Sequence, residues 1–384
     1  MIKQVEVLIV GGGPAGLCAA DAAASMGAHV LVCERFDFPG GQLVKQTHKF
    51  FGSEHQYAGE RGFQIGQILT EKVKANPNIE IMTDAEVLGF YEDGVVTVLH
   101  EGKHWKYKPE KIIVCTGASE KFLEFPGNDL PGIYGAGAVQ TLMNLYGVLP
   151  AKRALMVGAG NIGLIVSYQL LQAGVDVAGV VEAAPKIGGY LVHASKIRRA
   201  GVPIRTGYTV KEAYGNGELE GVIIAKVDEH FQPIPGTEED VKCDTLCLAV
   251  GLSPLTELLW QAGCHMAYIP EFSGHVPVRD ENLETSVKGI YAAGDSTGIE
   301  EASSAMVEGK IAGYAVAEAL GYQKEEAEKR KKEAIAELTE LRSGDTGAKV
   351  RSGLAKMAEH RIMEMTADGM GELPGELAAK GGNC

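Results

Sequence analysis

The sequence is poor in features that mark membrane-spanning, secreted and metal-binding proteins. No apolar run reaches the roughly 18–20 residues that a bilayer span requires, and the start, MIKQVEVLIVGGG, lacks the zones of a signal peptide. Cysteine is scarce, with seven scattered residues among 384, which does not suit a disulfide framework. Their spacing is not that of zinc or iron–sulfur ligands. We therefore expect a cytoplasmic protein without a metal site.

Positive charge is also in short supply. The chain carries 36 basic and 50 acidic side chains, a net charge of -14 and a pI of about 5.3. A surface of that sign does not attract nucleic acid or anionic lipid, so we expect neither nucleic acid nor a membrane as partner. Glycine, in contrast, is abundant at 50 residues, which indicates tight turns and close approaches of the backbone to a ligand.

A strand, a glycine-rich turn, a helix and a second strand follow one another in VEVLIVGGGPAGLCAADAAASMGAHVLVCE. The strand Val5 to Val10 precedes the turn, the helix runs from about Pro14 to Met26, and the second strand ends at Glu34. In this arrangement the glycines permit a tight turn, the approach of a pyrophosphate and close helix packing, while the acid takes the ribose hydroxyls. The G-x-G-x-x-G spacing is provided by Gly11, Gly13 and Gly16. The order of these parts predicts a dinucleotide-binding domain.

The segment RALMVGAGNIGLIVSYQLLQAGVDVAGVVE repeats this unit. Its candidate nucleotide contacts are Gly158, Gly160, Asn161, Ile162, Gly163 and Glu182. The terminal acid favours a free ribose 2′-hydroxyl, and hence NAD(H) over NADP(H). Arg198 and Arg199 would instead suit a 2′-phosphate, so NADP(H) stays open. A domain that is only structural, or that holds another adenine nucleotide, is the alternative for this second unit.

The segments around the second unit predict the remaining sheet. AEVLGFYEDGVVTVLHEGKHWKYKP alternates between apolar and polar residues, with turn signals at Asp93-Gly94 and Glu101-Gly102, and predicts a small antiparallel meander. KIIVCTGA predicts a separate buried strand that ends at Thr116-Gly117. A later strand ends at Gly294-Asp295, and a long helix is expected to begin near Glu300.

These residues resemble the superfamily of flavoproteins with two dinucleotide-binding domains, which includes thioredoxin reductase and the pyridine nucleotide–disulfide oxidoreductases. The similarity covers about residues 5–320. GGGPAG with Glu34, the TGA of residues 116–118 and the GIYAAGD of residues 289–295 match three FAD signatures. GAGAVQTLMNLYGVLP, GNIGLIVSYQLLQAG, CLAVGLSPLTELLWQAG and EASSAMVEGKIAG resemble the FAD-binding alpha-type subunits of heteromeric amine and amino-acid dehydrogenases. Sarcosine oxidase, opine oxidase and hydrogen cyanide synthase belong to that group.

The resemblance implies FAD and NAD(H) as cofactors and a set of FAD contacts. Asp295 would bind the ribityl and pyrophosphate region. The helix after it would point its positive N-terminal end at the flavin and stabilise the negative charge of the reduced form. The implied FAD set is Gly11, Gly13, Pro14, Ala15, Gly16, Glu34, Arg35, Gly41, Gln42, Val87, Thr116, Gly117, Gly294, Asp295, Ala302 and Ser303.

The redox cysteine pairs of that superfamily are missing from this sequence. GAGAVQTLMN stands where thioredoxin reductase-like proteins carry CxxC, and GGQLVKQTHKFFGS stands where the other reductases carry their pair. Electrons are therefore expected to leave the flavin directly for a substrate, a second cofactor or a partner protein. Lys45 and His48 are the candidate catalytic residues: the lysine would stabilise reduced flavin and the histidine would transfer a substrate proton. A solvated loop with incidental basic residues is the alternative.

Residues 323–384 depart from the superfamily core, and two helices are expected there. One lies in KEEAEKRKKEAIAELTELRSG, where Glu and Lys or Arg pair at i,i+4 spacing; the other lies in VRSGLAKMAEHRIMEM. Their apolar stripes comprise Ala334, Leu338 and Leu341, and Val350, Leu354 and Met357. The stripes predict packing on the chain's own body or docking of another subunit. If they dock a subunit, removal of residues 323 to 384 is expected to spare FAD binding. Cys384 closes the sequence as an isolated thiol.

The predicted fold is α/β, with two Rossmann-like (three-layer ββα) dinucleotide-binding domains and a helical C-terminal tail. The FAD domain comprises residues 1–122 and 253–322, the NAD(P)-type domain is inserted as residues 123–252, and the extension is 323–384.

The predicted function is FAD-dependent transfer of hydride or electrons between NAD(H) and a substrate or partner subunit, within a larger dehydrogenase complex. One alternative is a free-standing NAD(P)H-dependent flavoenzyme that acts on a small molecule. Another is a flavin- or nucleotide-binding structural subunit without catalysis. The expected partner is a small-molecule substrate or a second redox subunit, in a homo- or hetero-oligomer.

Overall fold

A computed structural model of the chain describes residues 2–50, 53–345 and 347–367. The described residues form two compact units. Unit 1 is drawn from residues 1–43, 51–118 and 253–384, and unit 2 from residues 44–50 and 119–252. Cys384, which was expected to be an isolated thiol, lies outside the described residues.

Strands and helices alternate along most of the chain, which confirms the predicted α/β class. The strands are β1 (Ile2–Val10), β2 (Val30–Cys33), β3 (Ile79–Met82), β4 (Ala85–Phe90), β5 (Val96–His100), β6 (Lys103–Val114), β7 (Ala118–Glu120), β8 (Ile133–Gly135), β9 (Arg153–Val157), β10 (Asp176–Glu182), β11 (Ile204–Thr206), β12 (Tyr208–Tyr214), β13 (Gly221–Lys226), β14 (Glu239–Lys242), β15 (Thr245–Leu248), β16 (Leu252–Pro254), β17 (Met266–Ile269), β18 (Gly274–Pro277) and β19 (Ile290–Ala292). The α-helices are α1 (Pro14–Ser25), α2 (Gly62–Lys74), α3 (Ala136–Asn144), α4 (Asn161–Gln172), α5 (Leu191–Arg199), α6 (Glu257–Gln261), α7 (Ala302–Leu320), α8 (Lys324–Leu341) and α9 (Ala348–Ala367).

Unit 1 is organised around a sheet in the order β3-β2-β1-β6-β5-β4, with β19 also paired to β6. The strands β3, β2, β1, β6 and β19 run parallel, whereas β4 and β5 run antiparallel to their neighbours. Helices α1 and α7 pack closely, since a Cβ atom on Gly309 would lie 2.1 Å from the carbonyl oxygen of Ala15. Helix α1 is rich in buried alanine, which permits that close packing.

The predicted meander is present as β4, β5 and the first half of β6, but its last strand does not end before KIIV. Residues 103–114 form one continuous strand. The first half of β6 pairs antiparallel with β5, for example Tyr107 with Val96, while the whole strand runs parallel to β1 up to the pair Val114 and Val10. Pro109 lies within β6, opposite Val5. The carboxyl end of β6 therefore lies at the same edge of the sheet as the end of β1. The Thr116-Gly117 turn follows at that edge.

Unit 2 contains a parallel sheet in the order β11-β10-β9-β15-β8 and a separate antiparallel sheet of β12, β13 and β14. Helices α3, α4 and α5 pack on the parallel sheet through a core that includes Leu164, Leu170, Val180 and Ile197, each almost fully buried. A second core lies between the two sheets and includes Leu246. The repeat of strand, turn, helix and strand in β9, α4 and β10 matches that in β1, α1 and β2.

The two helices expected in the C-terminal extension are present as α8 and α9, and the unit to which they belong covers their apolar stripes. In α8, Ala334 and Leu338 are buried. In α9, Met357 is buried against a cluster that includes Phe272 and Val276, and the stripe residues Val350 and Leu354 pack on the same cluster. These contacts favour the interpretation in which the helices pack on the chain itself. On α8, the ion pairs Glu326–Arg330 and Glu328–Lys332 are formed as expected.

The packing of α9 is testable with a pair of substitutions on that helix. Met357→Ala removes buried methylene groups and is expected to lower the free energy of unfolding by about 2–3 kcal/mol. The matched control Glu359→Ala, at an exposed position of α9, is expected to change it by no more than about 0.5 kcal/mol. Urea denaturation followed by circular dichroism measures both values. Equal and small effects would contradict the burial of this face.

Candidate functional site

The first glycine-rich turn lies between β1 and α1 in unit 1 and approaches the neighbouring backbone very closely. A Cβ atom on Gly11 would lie 2.4 Å from the carbonyl oxygen of Cys115, at the end of β6. A Cβ atom on Gly16 would lie 1.9 Å from the carbonyl oxygen of Gly11. No side chain fits at either position, because real Cβ atoms do not approach other atoms this closely. The first and third glycines of the motif are therefore required by the fold itself.

The second glycine of the motif, Gly13, is in a different situation. It has ordinary backbone angles (φ -78°, ψ -172°) and caps the N-terminus of α1. The nearest described atom to a Cβ built on it is the Cα of Gly41, at 3.8 Å. The fold alone does not require glycine here. A side chain would occupy the space before the helix N-terminus, where N–H groups lack helical partners and where a pyrophosphate would bind. The residues present therefore fit a dinucleotide.

Glu34, at the end of β2, holds this turn from the side. Its carboxylate accepts a hydrogen bond from the N–H of Gly12 at 2.7 Å and another from the N–H of Phe36 at 2.9 Å. The side chain is buried, with a relative exposure of 5%. Two backbone donors stabilise the negative charge in this position. The strand end, the turn and the acid thus form one hydrogen-bonded unit.

Unit 2 repeats the geometry of this turn between β9 and α4. A Cβ atom on Gly158 would lie 2.2 Å from the carbonyl oxygen of Ala249, which follows β15, and one on Gly163 would lie 2.1 Å from the carbonyl oxygen of Gly158. Around Gly160 no atom of the described residues lies within 4 Å of the added Cβ. Again the first and third glycines are required by the backbone, and the second faces open space. Asn161 and Ile162 begin α4 beside it.

The acid of the second unit makes the same two contacts as the acid of the first. The Glu182 carboxylate accepts hydrogen bonds from the N–H of Ala159 at 2.8 Å and the N–H of Ala184 at 2.9 Å. In both units the donors are the middle residue of the G-x-G triplet and the residue two positions after the acid. The duplication therefore extends from sequence spacing to individual hydrogen bonds.

Each repeat also contains two adjacent glycines after the acid, and the G-x-G-x-x-G motif does not include them. Gly40-Gly41 begins six positions after Glu34, and Gly188-Gly189 begins six positions after Glu182. The first N–H of each pair donates to the carbonyl oxygen of the middle turn residue, at 2.8 Å in unit 1 and 3.2 Å in unit 2. A Cβ atom on Gly189 would lie 2.8 Å from the carbonyl carbon of Gly160. The equal distance from the acid to the glycine pair in both repeats is the sequence feature that could have predicted this part of the site.

The other expected FAD contacts of unit 1 are distributed around the same turn. Thr116 donates its hydroxyl to the carbonyl oxygen of Leu255 at 2.6 Å, and Gly117 follows with a positive φ of 76°. Val87 lies on β4, whose first residue, Ala85, donates its N–H to the carbonyl oxygen of Glu34 at 2.9 Å. The remaining expected residues are Pro14 and Ala15 in α1, the exposed Arg35 and Gln42, and Ala302 and Ser303 at the start of α7.

The segment after β19 brings Gly294 and Asp295 beside α1. A Cβ atom on Gly294, which has a φ of 77°, would lie 2.9 Å from the Cβ of Ala15. Burial raises the pKa of Asp295 to about 7, a shift to which the negative charge of Glu308 also contributes. Glu308, from α7, accepts a hydrogen bond from the N–H of Gly294 at 2.8 Å and one from the buried Arg279 at 2.6 Å. The GD motif is thus fixed by a buried ion pair.

Lys45 and His48, the candidate catalytic residues, both lie in the short segment that belongs to unit 2. The Lys45 ammonium donates to the carbonyl oxygen of Gly137 at 3.0 Å and to the hydroxyl of Thr141 at 3.3 Å, both on α3. Burial lowers the pKa of Lys45, and the nearby Glu120 opposes that shift. The lysine is therefore a well-ordered part of unit 2 rather than a residue of a solvated loop.

His48 stacks on Phe50, with ring centroids 5.7 Å apart, and its Nδ1 is buried without a hydrogen-bond partner in the described residues. Burial lowers the pKa of His48 to about 4, and the positive charges of His193 and Lys196 contribute to that shift. The imidazole is therefore neutral at neutral pH. A catalytic role for either residue stays a prediction.

Gly135 and helix α3 form the GAGAVQTLMN sequence, at the place where the resemblance described above implies a cysteine pair. The Glu120 carboxylate covers the N-terminus of this helix, because it accepts hydrogen bonds from the N–H groups of Gly137 at 2.6 Å and Ala138 at 3.2 Å. A Cβ atom on Gly135 would lie 2.2 Å from a carboxylate oxygen of Glu120. A capping acid and glycines thus occupy this helix end.

The six cysteines within the described ranges are all free and buried. Burial raises the pKa of each, to about 12 for Cys18, Cys33, Cys243 and Cys247. A buried thiol with a raised pKa is a poor nucleophile. Among the side chains that the structure describes, no group of three or more His, Cys, Asp or Glu residues is arranged to hold a metal ion. In the same part of the chain, no helix combines the length and apolar character needed to cross a bilayer.

Arg198 and Arg199, the residues that would suit a 2′-phosphate, lie at the exposed end of α5. The Nε of Arg199 donates to the carbonyl oxygen of Ser195 at 3.3 Å. Glu182, in contrast, is held at the end of β10 by the two backbone hydrogen bonds described above. Its fixed negative charge favours a nucleotide without a 2′-phosphate.

The different roles of the glycines lead to a prediction for the second turn. Gly160→Ala is expected to leave the free energy of unfolding unchanged within about 0.5 kcal/mol and to raise the Kd for NADH at least about tenfold, because its methyl group enters only the space for the ligand. Gly163→Ala is expected to destabilise the protein by about 2 kcal/mol or more, because its methyl group meets backbone. Urea denaturation and fluorescence titration with NADH measure the two effects. A stability loss from Gly160→Ala equal to that from Gly163→Ala would refute the distinction.

The depressed pKa of His48 leads to a prediction on pH dependence. Between pH 6.5 and 4 the unfolded chain binds a proton at this residue that the folded chain does not. The stability present above pH 6.5 is therefore lost as the pH falls towards 4. His48→Gln is expected to lose less of its free energy of unfolding than the wild type over this window, whereas His230→Gln, at an exposed position of unit 2, should follow the wild type. Identical pH profiles for wild type and His48→Gln would contradict the burial of this imidazole.

Comparison with known proteins identifies the family of the chain. The family model described as pyridine nucleotide-disulphide oxidoreductase matches residues 5–309. The chain is 28% identical to the A subunit of opine oxidase from Agrobacterium tumefaciens strain Ach5, over 81% of this chain and 65% of that protein. It is 26% identical to the alpha subunit of sarcosine oxidase from Rhizobium meliloti strain 1021, over 82% of this chain and 31% of that protein. It is 29% identical to the HcnB subunit of hydrogen cyanide synthase from Pseudomonas aeruginosa, over 82% of this chain and 71% of that protein. The chain thus spans less than two thirds of the first two relatives.

Solved structures share the fold. L-Proline dehydrogenase from P. horikoshii matches with a TM-score of 0.67 and 24% identity, over 87% of this chain and 60% of that chain. Thioredoxin reductase from T. acidophilum matches with a TM-score of 0.66 and 23% identity, over 83% of this chain and 99% of that chain. The expected resemblance and fold class are confirmed, and family membership implies binding of FAD and a pyridine nucleotide. The chain belongs to the pyridine nucleotide-disulphide oxidoreductase family.

Proposed function

We propose that the chain binds FAD at the turn of unit 1 and NAD(H) at the turn of unit 2, and that it transfers electrons between NAD(H) and a substrate or partner subunit without a dithiol. The observation that supports this most directly is the duplicated turn, in which the second glycine leaves room for a Cβ atom. Among the described residues, the nearest atom to that Cβ is 3.8 Å away in unit 1, and no atom lies within 4 Å in unit 2. Family membership supports FAD in the first unit and a pyridine nucleotide in the second.

The role of the protein groups follows from their contacts. Bound FAD would supply the capacity to accept and release electrons. Glu34 and the N-terminus of α1 would hold its ribose and pyrophosphate, and Asp295 would contact the ribityl chain. Glu182 would hold the ribose of the nicotinamide nucleotide and exclude a 2′-phosphate. These roles are consistent with carboxylates that are held in place by backbone N–H groups.

The direct electron route is supported by the state of the thiols. All cysteines of the described residues are buried, and Glu120 caps the helix end at which related reductases carry a cysteine pair. The described residues therefore provide no dithiol relay at this place, and the electron acceptor would be a molecule outside the chain. Lys45 and His48 stay the candidate groups for charge stabilisation and proton transfer. The imidazole of His48 is neutral at neutral pH, but its lowered pKa makes it a weak base, so its role in proton transfer depends on a bound substrate that raises that pKa.

The relatives support action as part of a larger assembly. The opine oxidase, sarcosine oxidase and hydrogen cyanide synthase relatives are each named as one subunit of an enzyme. We propose that this chain likewise works with a second subunit that provides or receives the electrons. A small-molecule acceptor that reacts with the chain alone is the alternative.

Anaerobic mixing of the FAD-loaded chain with NADH tests the proposal. The flavin absorbance should be lost faster with NADH than with NADPH, because of the fixed charge at Glu182. Treatment with a thiol-alkylating reagent should leave that rate unchanged, because the route includes no thiol. Gly160→Ala, which keeps the FAD site, is the matched control and should be reduced slowly. An artificial dye should then accept electrons from the chain alone.

Each contrary outcome has a distinct meaning. Loss of the NADH reaction on alkylation would refute the direct route. Faster reduction by NADPH would refute the assignment of NAD(H). Bound flavin that neither nucleotide reduces would favour a structural subunit. A folded wild-type chain that takes up no FAD would refute the proposed function itself.

A further inference from the structure

The C-terminal extension reaches the GD segment of residues 294–300 in unit 1. We infer that Arg342, at the end of α8, is a positioning residue for the FAD site, because it joins the two carboxylates that hold this segment. The inference rests on the FAD function proposed for unit 1. According to this inference, the extension contributes to FAD binding in its own chain.

The centre of the contact is Glu308, which lies on α7 with a relative exposure of only 2%. One carboxylate oxygen accepts hydrogen bonds from the N–H of Gly294 at 2.8 Å and the hydroxyl of Thr297 at 3.2 Å. The other oxygen accepts hydrogen bonds from Arg279 and Arg342, each at 2.6 Å. Glu308 therefore holds the segment on both sides of Asp295, through the backbone of Gly294 and the side chain of Thr297. Although burial acts to raise the pKa of Glu308, the charges of Arg279 and Arg342 hold that pKa below its usual value, so both guanidinium groups stabilise the buried carboxylate.

Arg342 also binds the residue that ends the segment. Its Nη2 donates to one Glu300 carboxylate oxygen at 2.5 Å and its Nε to the other at 3.1 Å, a bidentate contact. The N–H of Glu300 in turn donates to the Asp295 carboxylate at 3.4 Å. Arg342 thus joins Glu300, just before α7, to Glu308 within it. This contact sets the path by which the chain enters α7.

The second helix of the extension is connected to the same segment through the ring of Phe272. The ring of Phe272 is almost fully buried, and a Cβ atom on Gly298 would lie 2.8 Å from it. A Cβ atom on Gly353, in α9, would also lie 2.8 Å from this ring. Arg351 closes the connection between the helices by donating to the carbonyl oxygens of Arg342 and Gly344. Arg342 at the end of α8 thus contacts Glu300 directly, whereas α9 is connected to residues 294–300 through Phe272.

This arrangement conflicts with the expectation that residues 323 to 384 can be removed without effect on FAD binding. Removal of Arg342 alone would leave Glu300 without its bidentate partner and Glu308 with one guanidinium group. A buried carboxylate that loses a charged partner is strongly destabilised and tends to rearrange. The affected backbone is the part that carries Asp295, so the loss is expected at the cofactor site.

The test uses full-length variants and the binding of FAD to the apoprotein. Arg342→Gln is expected to raise the Kd for FAD by about tenfold or more, since it loses hydrogen bonds between charged groups. The matched control is Arg330→Gln, an arginine of α8 whose exposed ion pair with Glu326 lies outside this network, and its Kd should equal that of the wild type. Arg342→Lys keeps the charge but not the bidentate contact, so its Kd should lie between those of wild type and Arg342→Gln.

A second comparison separates positioning from general stability. Val73→Ala removes buried methyl groups from α2 in unit 1, far from these contacts in sequence, and should lower the melting temperature while keeping the wild-type Kd for FAD at 20 °C. Arg342→Gln should raise the Kd at that temperature and shift the visible absorption bands of the bound flavin. The Kd for NADH in unit 2 should stay unchanged.

Each outcome decides the inference. Equal FAD affinity in Arg342→Gln and Arg330→Gln would overturn it, as would a loss of affinity in Val73→Ala as large as that in Arg342→Gln. If Arg342→Gln does not fold, Glu300→Gln removes the same bidentate contact from the other side, and wild-type affinity in that variant would overturn the inference. A folded wild-type chain that binds no FAD would instead refute the function on which the inference rests.

Discussion

The hydrogen bond between a strand-end carboxylate and the glycine turn is the contact on which both nucleotide sites depend. Glu34 binds the N–H of Gly12, and Glu182 binds the N–H of Ala159. Each bond joins residues more than 20 positions apart and fixes the turn, the strand end and the following glycine pair in one arrangement. The backbone donors also hold the carboxylate where a ribose would need it.

Much of this arrangement could be predicted from the sequence because it is local. The spacing of the glycines, the helix after them and the acid at the end of the next strand are all set within about 24 residues. The meander was predicted for the same reason, but the continuous strand β6 was not, since the local pattern divides it into a strand of the meander and the separate strand of KIIVCTGA. The register of β6 on β1 overrides that local preference, as tertiary pairing often does.

The buried ion network around Glu308 could not be predicted. Its arginine partners, Arg279 and Arg342, are 29 and 34 positions away. Arg342 follows a helix so rich in charge that its composition is typical of a solvated surface. Whether a charged side chain is buried depends on which elements pack over it, and periodicity within one helix does not contain that information. The same limit applies to the apolar stripe of α9, whose pattern fits a covering from either the chain itself or a partner.

The ion network around Glu308 connects the C-terminal extension to the rest of unit 1. A buried carboxylate is stable only when its charge is balanced, and here one balancing guanidinium comes from the body of unit 1 and the other from the extension. Glu300 takes its bidentate partner from the same arginine. A related chain that ends before α8 must therefore balance the two acids with another group or replace them by neutral side chains. The stripe residues Ala334, Leu338 and Met357 are buried within unit 1. The proposed partner subunit would therefore bind through other surfaces, and the proposed role of the extension is to position the segment that carries Asp295.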